Sequence, residues 1–404
     1  MTSHRNSRFW KSCPTFAFIL FLAHVPQGSA QQITGHFYPD KHEYFVGEPI
    51  IVVFAMLNST PDTVQIGEGG CPELSNQFEV DNAAPKRKFT LFGCIGGIAG
   101  SCLSSIREVP TGGRYLQRLL LQGDFELNSP GSYHVHAKRE QKVTRKGVDD
   151  LGFDLKVDSQ FDVLLREPTE GNLEDVYQPL LNDLNSRDFA ARSLAARAIT
   201  QNPPRFAEPA ILAMTDDPTT WYASVEGLKR LATPAARARL LEMSSISSAE
   251  YRRQPAIAAL GEIGNSEDCQ AMLNVAAESK NYTQIEAYVA AGRMCKGEAV
   301  TVFSNLIATA DPPMVGGLAY ALKNTSSREA VSPLIGLLQN PDLNVRRQAV
   351  DALGMLTHRK SNYGVEDADS ALQAYGDWSK WWSDNGKPAP LYSPSECVAP
   401  QPFR

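Results

Sequence analysis

The chain has 404 residues with 45 acidic and 39 basic side chains, giving a formal net charge of −6 and a sequence pI near 5.7. That balance argues against a general nucleic-acid binder, which gathers basic side chains on its contact surface. A hydrophobic fraction of 43% is ordinary for a folded soluble chain, and the length is enough for two or three domains.

Residues 1–30 read as an export signal. His4, Arg5, Arg8 and Lys11 give a basic start, residues 16–23 an apolar run, and Gly28-Ser29-Ala30 the small side chains needed for cleavage after Ala30. The apolar run is shorter than the about 20 residues that span a bilayer, and no second one follows. The mature chain is therefore expected outside the cytoplasm, periplasmic or secreted, with no integral membrane segment. Six cysteines remain after that cleavage: Cys71, Cys94, Cys102, Cys269, Cys295 and Cys397. An even number in an exported chain favours disulfides, and the spacings are not the paired CxxC of a zinc site. In the Gly-rich region around residues 69–102, Cys94–Cys102 is the preferred pair, with Cys71 bonded to either as the alternative.

Residues 31–167 carry β signals. Residues 48–58 are a β-branched run closed by Asn58-Ser59-Thr60-Pro61, and residues 87–92, 115–121 and 153–165 also read as strands. After the turn at Pro130-Gly131, Tyr133, Val135 and Ala137 alternate with His134, His136 and Lys138, so the first set should face a core. Short strands with Gly/Pro turns and no helical period predict an antiparallel β-sandwich. The segments VGEPI and SPGSYHVHA give the region a resemblance to the Ig-like sandwich modules of bacterial surface proteins. The glycines of residues 93–101 lack the Gly-Lys-Ser/Thr ending of a phosphate loop.

From residue 172 to 360 the period becomes helical. Residues 330–356 put Val331, Leu334, Leu337 and Leu338 on one stripe, break at Asn340-Pro341-Asp342, and resume with Val345, Ala349, Ala352, Leu353 and Leu356 on another. Such a helical hairpin cannot bury its own apolar faces and needs copies on either side. Positions equivalent to Leu353 fall at Ala198, Leu228, Leu260, Gly292 and Leu322, a period near 30 residues, with breaks such as Asp216-Asp217-Pro218 and Asp311-Pro312-Pro313 at mid-repeat. Cys269 opens the first helix of the fourth copy and Cys295 closes its second, so an antiparallel hairpin brings the two together as a disulfide. The pattern resembles the HEAT repeats of the short bacterial type also described as PBS-lyase HEAT-like. The resemblance implies an α-α superhelix of six hairpins and says little about activity; no residue here matches a lyase site.

Residues 371–386 follow as an amphipathic helix, with Leu372, Tyr375, Trp378, Trp381 and Trp382 on a stripe that should close the solenoid's last apolar face. Residues 387–404 form a Pro-rich, flexible tail by composition.

Chemistry-bearing patterns are few. There is no GxSxG, no HExxH and no recognisable Cys/His arrangement, while Asp149-Asp150 and Asp216-Asp217 read as turn residues. His134 and His136 lie about 7 Å apart on one strand face, but a metal would need a further ligand, such as His36 or His42. No cofactor is expected. In stacked hairpins the second helices usually line the partner-facing side. Aligning on Leu353 places Arg192, Tyr222, Gln254, Glu286, Gly316 and Arg347 in one row, with Trp221 beside Tyr222. Arg, Tyr and Trp dominate interface energies, so Arg192, Trp221, Tyr222, Glu286 and Arg347 are the candidate partner contacts. The expected function is a non-catalytic, extracytoplasmic scaffold that docks another protein. The alternatives are a metal-binding or enzymatic accessory using the sandwich histidines, and cell-wall carbohydrate binding through the C-terminal tryptophans.

Overall fold

The structure, a computed structural model, describes residues 33–68, 76–85, 105–123, 125–148, 152–169, 171–245, 247–386 and 391. The export signal, the strand at 87–92, the Gly-rich segment, Asp149-Asp150, Cys71, Cys94, Cys102 and Cys397 lie outside those residues, as does the tail apart from Leu391.

Strands β1 (Ile33–Pro39), β2 (Glu43–Phe45), β3 (Ile51–Asn58), β4 (Val64–Glu68), β5 (Asn76–Val80), β6 (Ala84–Pro85), β7 (Ser105–Val109), β8 (Arg114–Leu120), β9 (Phe125–Glu126), β10 (Gly131–Arg145) and β11 (Phe153–Arg166) make the N-terminal β domain. One sheet runs β1-β3-β8; the larger runs β2-β11-β10-β4-β7, with β5 also on β10, and β6 and β9 form a small third ladder. All pairings are antiparallel except β2 with β11. Central strand β3 is buried on both faces from Ile51 to Met56, which is why its sequence is an unbroken apolar run. β10 shows the expected alternation: Tyr133, Val135 and Ala137 are buried and His134 is exposed. Phe37, Phe54 and Tyr115 pack along the three-stranded sheet with ring centroids 5.1 and 6.2 Å apart, and Phe37 meets Phe78 of β5 on the larger sheet at 5.8 Å, which links the layers.

Thirteen α-helices follow among the described residues: α1 (Asn172–Asp183), α2 (Phe189–Gln201), α3 (Glu208–Met214), α4 (Trp221–Leu231), α5 (Pro234–Ser244), α6 (Glu250–Ile263), α7 (Cys269–Glu278), α8 (Asn281–Cys295), α9 (Gly297–Ile307), α10 (Pro312–Asn324), α11 (Val331–Gly336), α12 (Leu343–Thr357) and α13 (Ala368–Trp381). The first twelve pair into six hairpins whose even-numbered members pack side by side. Ala198, Leu228, Leu260, Gly292, Leu322 and Leu353 are all buried, so the period marks one continuous core. The breaks act as caps: Asp342 accepts from Asn344 N at 2.8 Å and Val345 N at 3.2 Å, and Asp311 accepts from Met314 N at 3.0 Å. Small residues set the helix spacing. A Cβ on Gly292 would sit 2.7 Å from the Ala321 carbonyl oxygen, so no larger residue fits between α8 and α10. Cys269 and Cys295 are bonded, with Cα atoms 5.0 Å apart.

The closing helix departs from the expected stripe in one respect. Leu372, expected to point inward, is 59% exposed, whereas Ala371, Ala374 and Trp378 are buried. The buried stripe is set by Ala371, Ala374 and Trp378 at spacings of three and four, and Leu372 stands about 100° round the helix from Ala371.

The two halves meet at repeat one. Buried Tyr177 places its hydroxyl 3.0 Å from both Gly47 O and Asn202 O, and Gln201 Nε2 donates to Gln122 O at 2.8 Å. Burial, with the negative charge of Glu48, raises the Tyr177 hydroxyl above its usual range and keeps it protonated as a donor.

Candidate partner-binding face

Second helices α2, α4, α6 and α8 each open on an aromatic residue in their first turn. Phe189 is the first residue of its helix, and Tyr222, Tyr251 and Tyr282 are each the second. All four are between 42% and 61% exposed, although large aromatics usually bury their area. Because the helices stack in the same orientation, these first turns form a row along one edge of the second-helix layer.

Repeats two and three knit the row together. Trp221 meets Tyr222 and Tyr251 edge to face, with centroids 5.6 and 5.3 Å apart. The Arg252 guanidinium lies 5.8 Å from the Trp221 ring and 5.7 Å from Tyr251. These contacts hold the Tyr222 and Tyr251 rings in fixed positions at the surface.

The row expected from the sequence divides. Tyr222 and Arg347 are exposed, as a contact surface requires. Arg192 is half-buried and ties α2 to the next repeat, donating from Nη1 to Ser186 O at 2.6 Å and from Nε to Thr219 Oγ1 at 3.0 Å. Trp221 is half-buried and supports its neighbours.

Glu286 is only 5% exposed, so it belongs to the packing between α8 and its neighbours and not to the open surface. Burial pushes its carboxyl up to about 7, partly offset by a hydrogen bond from Tyr282, and its Oε2 has no hydrogen-bond partner among the described residues. The same burial and the nearby Glu286 charge hold the Tyr282 hydroxyl above its usual range. On α10, buried Lys323 sets Nζ 4.0 Å from the Tyr320 ring centroid and 3.7 Å from Met355 Sδ.

Phe189, Tyr251 and Tyr282 are absent from the aligned row because that row is anchored on the buried core position. The distance from that position to the helix start varies between repeats. Counting from each cap finds them.

The sandwich histidines are engaged with carboxylates. His134 Nδ1 lies 2.8 Å from Asp162 Oδ1, and His136 lies 2.5 Å from Asp158 Oδ1 and 3.5 Å from Glu79 Oε2. Asp162 raises the His134 pKa, favouring the imidazolium over the neutral ring a metal needs. His36 is on the other sheet, stacked on Tyr38 with centroids 5.4 Å apart. Among the described residues no three His, Cys, Asp or Glu side chains converge as metal ligands, and no helix is long and apolar enough to cross a membrane. Of the C-terminal tryptophans, Trp378 is fully buried, stacked edge-on against Trp381 and under the Arg359 guanidinium at 4.6 Å.

Fold and surface together define a class: a β-sandwich joined to an α-solenoid with an exposed aromatic edge. No known family model matches the chain, and no curated protein matches it in sequence. Among solved structures it is similar to Kap121p, in the crystal structure of Kap121p bound to Pho4p, with 15% identity and a TM-score of 0.34. That match covers 45% of this chain and 23% of Kap121p, so the chain spans under a quarter of that protein's length. BslA, a bacterial hydrophobin, is similar at 10% identity and a TM-score of 0.17 over 34% of this chain and 97% of its own. Both likenesses are too distant to carry a functional argument, and the architecture rests on the strands and helices themselves.

Proposed function

We propose that this chain is a non-catalytic scaffold that docks another protein along the second-helix face of its solenoid, outside the cytoplasm once residues 1–30 are removed. The observation that carries the reading is the row of Phe189, Tyr222, Tyr251 and Tyr282, four exposed rings on four successive second helices. Exposed aromatics cost free energy in water and are the side chains that dominate protein interfaces. The sandwich is fixed against repeat one through Tyr177 and orients the solenoid. The signal-like start and the cysteine count support the export part of the proposal.

The test is capture from an extract of secreted and envelope proteins, using the mature chain and a Tyr222→Ala/Arg347→Ala variant as paired baits. The reading expects a partner held by the mature chain and released by the double substitution. Equal capture by both baits would remove this face from the function.

A further inference from the structure

Two of the four exposed rings stand one helical turn before a glutamate, Tyr222 before Glu226 on α4 and Tyr282 before Glu286 on α8. Residues four apart are neighbours on a helix surface. In both pairs burial, and then the nearby carboxylate, hold the tyrosine hydroxyl above its usual range.

The pairs differ in what meets the carboxylate. Glu226 is half-exposed, and Lys229 Nζ lies 3.1 Å from its Oε2 and 3.4 Å from Glu262 Oε2 on the next second helix. On α8 the position of Lys229 is taken by Val289, which is buried. Glu286 is buried too, its Oε2 has no hydrogen-bond partner among the described residues, and its one donor is the Tyr282 hydroxyl.

The other charged groups around α8 are engaged elsewhere. On α6, Glu250 accepts from Thr283 Oγ1 at 3.1 Å, Arg253 donates to Ser244 O at 3.3 Å and to Ser279 Oγ, and Arg252 lies against Trp221 and Tyr251. On α10, Lys323 sits over the Tyr320 ring. Arg293 of α8 itself donates to Asn324 Oδ1 at 3.1 Å, and Tyr288 packs on Phe303. Glu267 and Asp268, before α7, meet Arg237, while Glu278, Lys280, Lys296 and Glu298 are exposed.

Burial without a counter-charge disfavours the ionised carboxyl, and here it outweighs the Tyr282 bond. Neutral Glu286 can stay packed. Ionised, it becomes a buried unpaired charge, which is relieved by moving toward water.

We propose that Glu286 is a pH switch on the aromatic edge: its ionisation displaces Tyr282 from the row, while Tyr222, whose Glu226 has a counter-charge, keeps its place. Tyr282 is the exposed end of the bonded pair, so a carboxyl moving toward water carries the ring with it. The row is then complete at acid pH and broken at alkaline pH. That a partner is released by this change rests on the docking reading above; the movement of the ring does not.

The full chain, with ring-labelled tyrosine and a soluble nitroxide as the probe of exposure, tests the movement by NMR with no partner present. Tyr282→Phe and Tyr222→Phe assign the two signals. The Tyr282 hydroxyl is held above its usual range and does not titrate near neutrality. Nitroxide-induced relaxation of the Tyr282 ring should rise about twofold with a midpoint near pH 7, with Tyr222 unchanged as the internal reference. In Glu286→Gln the ring should keep its acid-pH value throughout. Relaxation of Tyr282 that ignores pH overturns the proposal, and so does a rise that persists in Glu286→Gln. A labelled Glu286 carboxyl carbon gives a check that needs no substitution, since its midpoint must coincide with that of the ring, and separate midpoints overturn the switch. At pH 8 about one molecule in ten keeps the proton, so a partner that needs the whole row should bind about tenfold more weakly than at pH 6. If the ring moves and binding ignores pH, the docking reading fails and the switch stands.

Discussion

The outer face of the β10–β11 hairpin and the leading edge of the second helices treat their surface side chains in opposite ways. On the hairpin they are paired with one another, His134 with Asp162, His136 with Asp158 and Lys156 with Glu140 at 3.2 Å, and His136 also meets Glu79 of neighbouring β5. Such a face is satisfied by itself and by water, and its pairs contribute little to stability. On the second helices Phe189, Tyr222, Tyr251 and Tyr282 present ring area that nothing among the described residues covers. The contrast between a surface paired within itself and one with exposed rings is what the docking proposal rests on.

Substitutions in the two regions and in the core beneath them put that contrast to the test. The largest effect should come from the closing helix: Trp378→Ala removes a fully buried indole and should cost about 4 kcal/mol in urea unfolding of the solenoid. A loss below about 1 kcal/mol would mean that α13 does not seal the stack.

Removing the Cys269–Cys295 bond with a double serine substitution opens a loop closed over a separation of 26 residues and should cost about 3 kcal/mol. Reducing conditions should lower the parent's solenoid stability to that of the variant and leave the variant's solenoid transition unchanged.

Glu286 contributes a pH dependence. Its carboxyl is raised from 4.5 to about 7 in the fold, so the folded state holds its proton where the unfolded chain has released it. Its contribution is therefore fully present below about pH 4.5 and is lost as pH rises through about 7, a change on the order of 3 kcal/mol. Glu286→Gln should remove that part of the stability-versus-pH slope, and a slope that persists would assign it to other groups. The smallest effect belongs to the hairpin face, where His134→Ala should leave the unfolding midpoint and partner capture unchanged within error.

How much of this is legible in the sequence follows from what each half repeats. The solenoid can be read because its core positions, from Ala198 to Leu353, recur at a near-fixed interval with caps such as Asp311 and Asp342 between them. In the sandwich, β3 and β10 announce themselves through a buried run and a clean alternation. β1 does not, because Gly35, His36 and Pro39 dilute its β signal although Ile33 and Phe37 are buried. At the candidate face, the periodicity finds Tyr222 and Arg347 and misplaces Glu286 on the surface. Helical periodicity identifies a face, and at its margin one residue is open while its structural equivalent in the next repeat is packed under a neighbour. Tyr251 and Tyr282 escape it for a related reason: their common feature is distance from the cap, and the caps do not keep step with the core.

The account's central claim is tested most directly by calorimetry on a purified partner, comparing the mature chain with a Tyr222→Ala/Tyr251→Ala variant. Removing two central aromatic side chains together should raise the dissociation constant about 100-fold, while unfolding stability falls by only about 1–2 kcal/mol from the lost ring contacts with Trp221. An unchanged dissociation constant would contradict the claim that the aromatic edge of the second helices is where the partner docks.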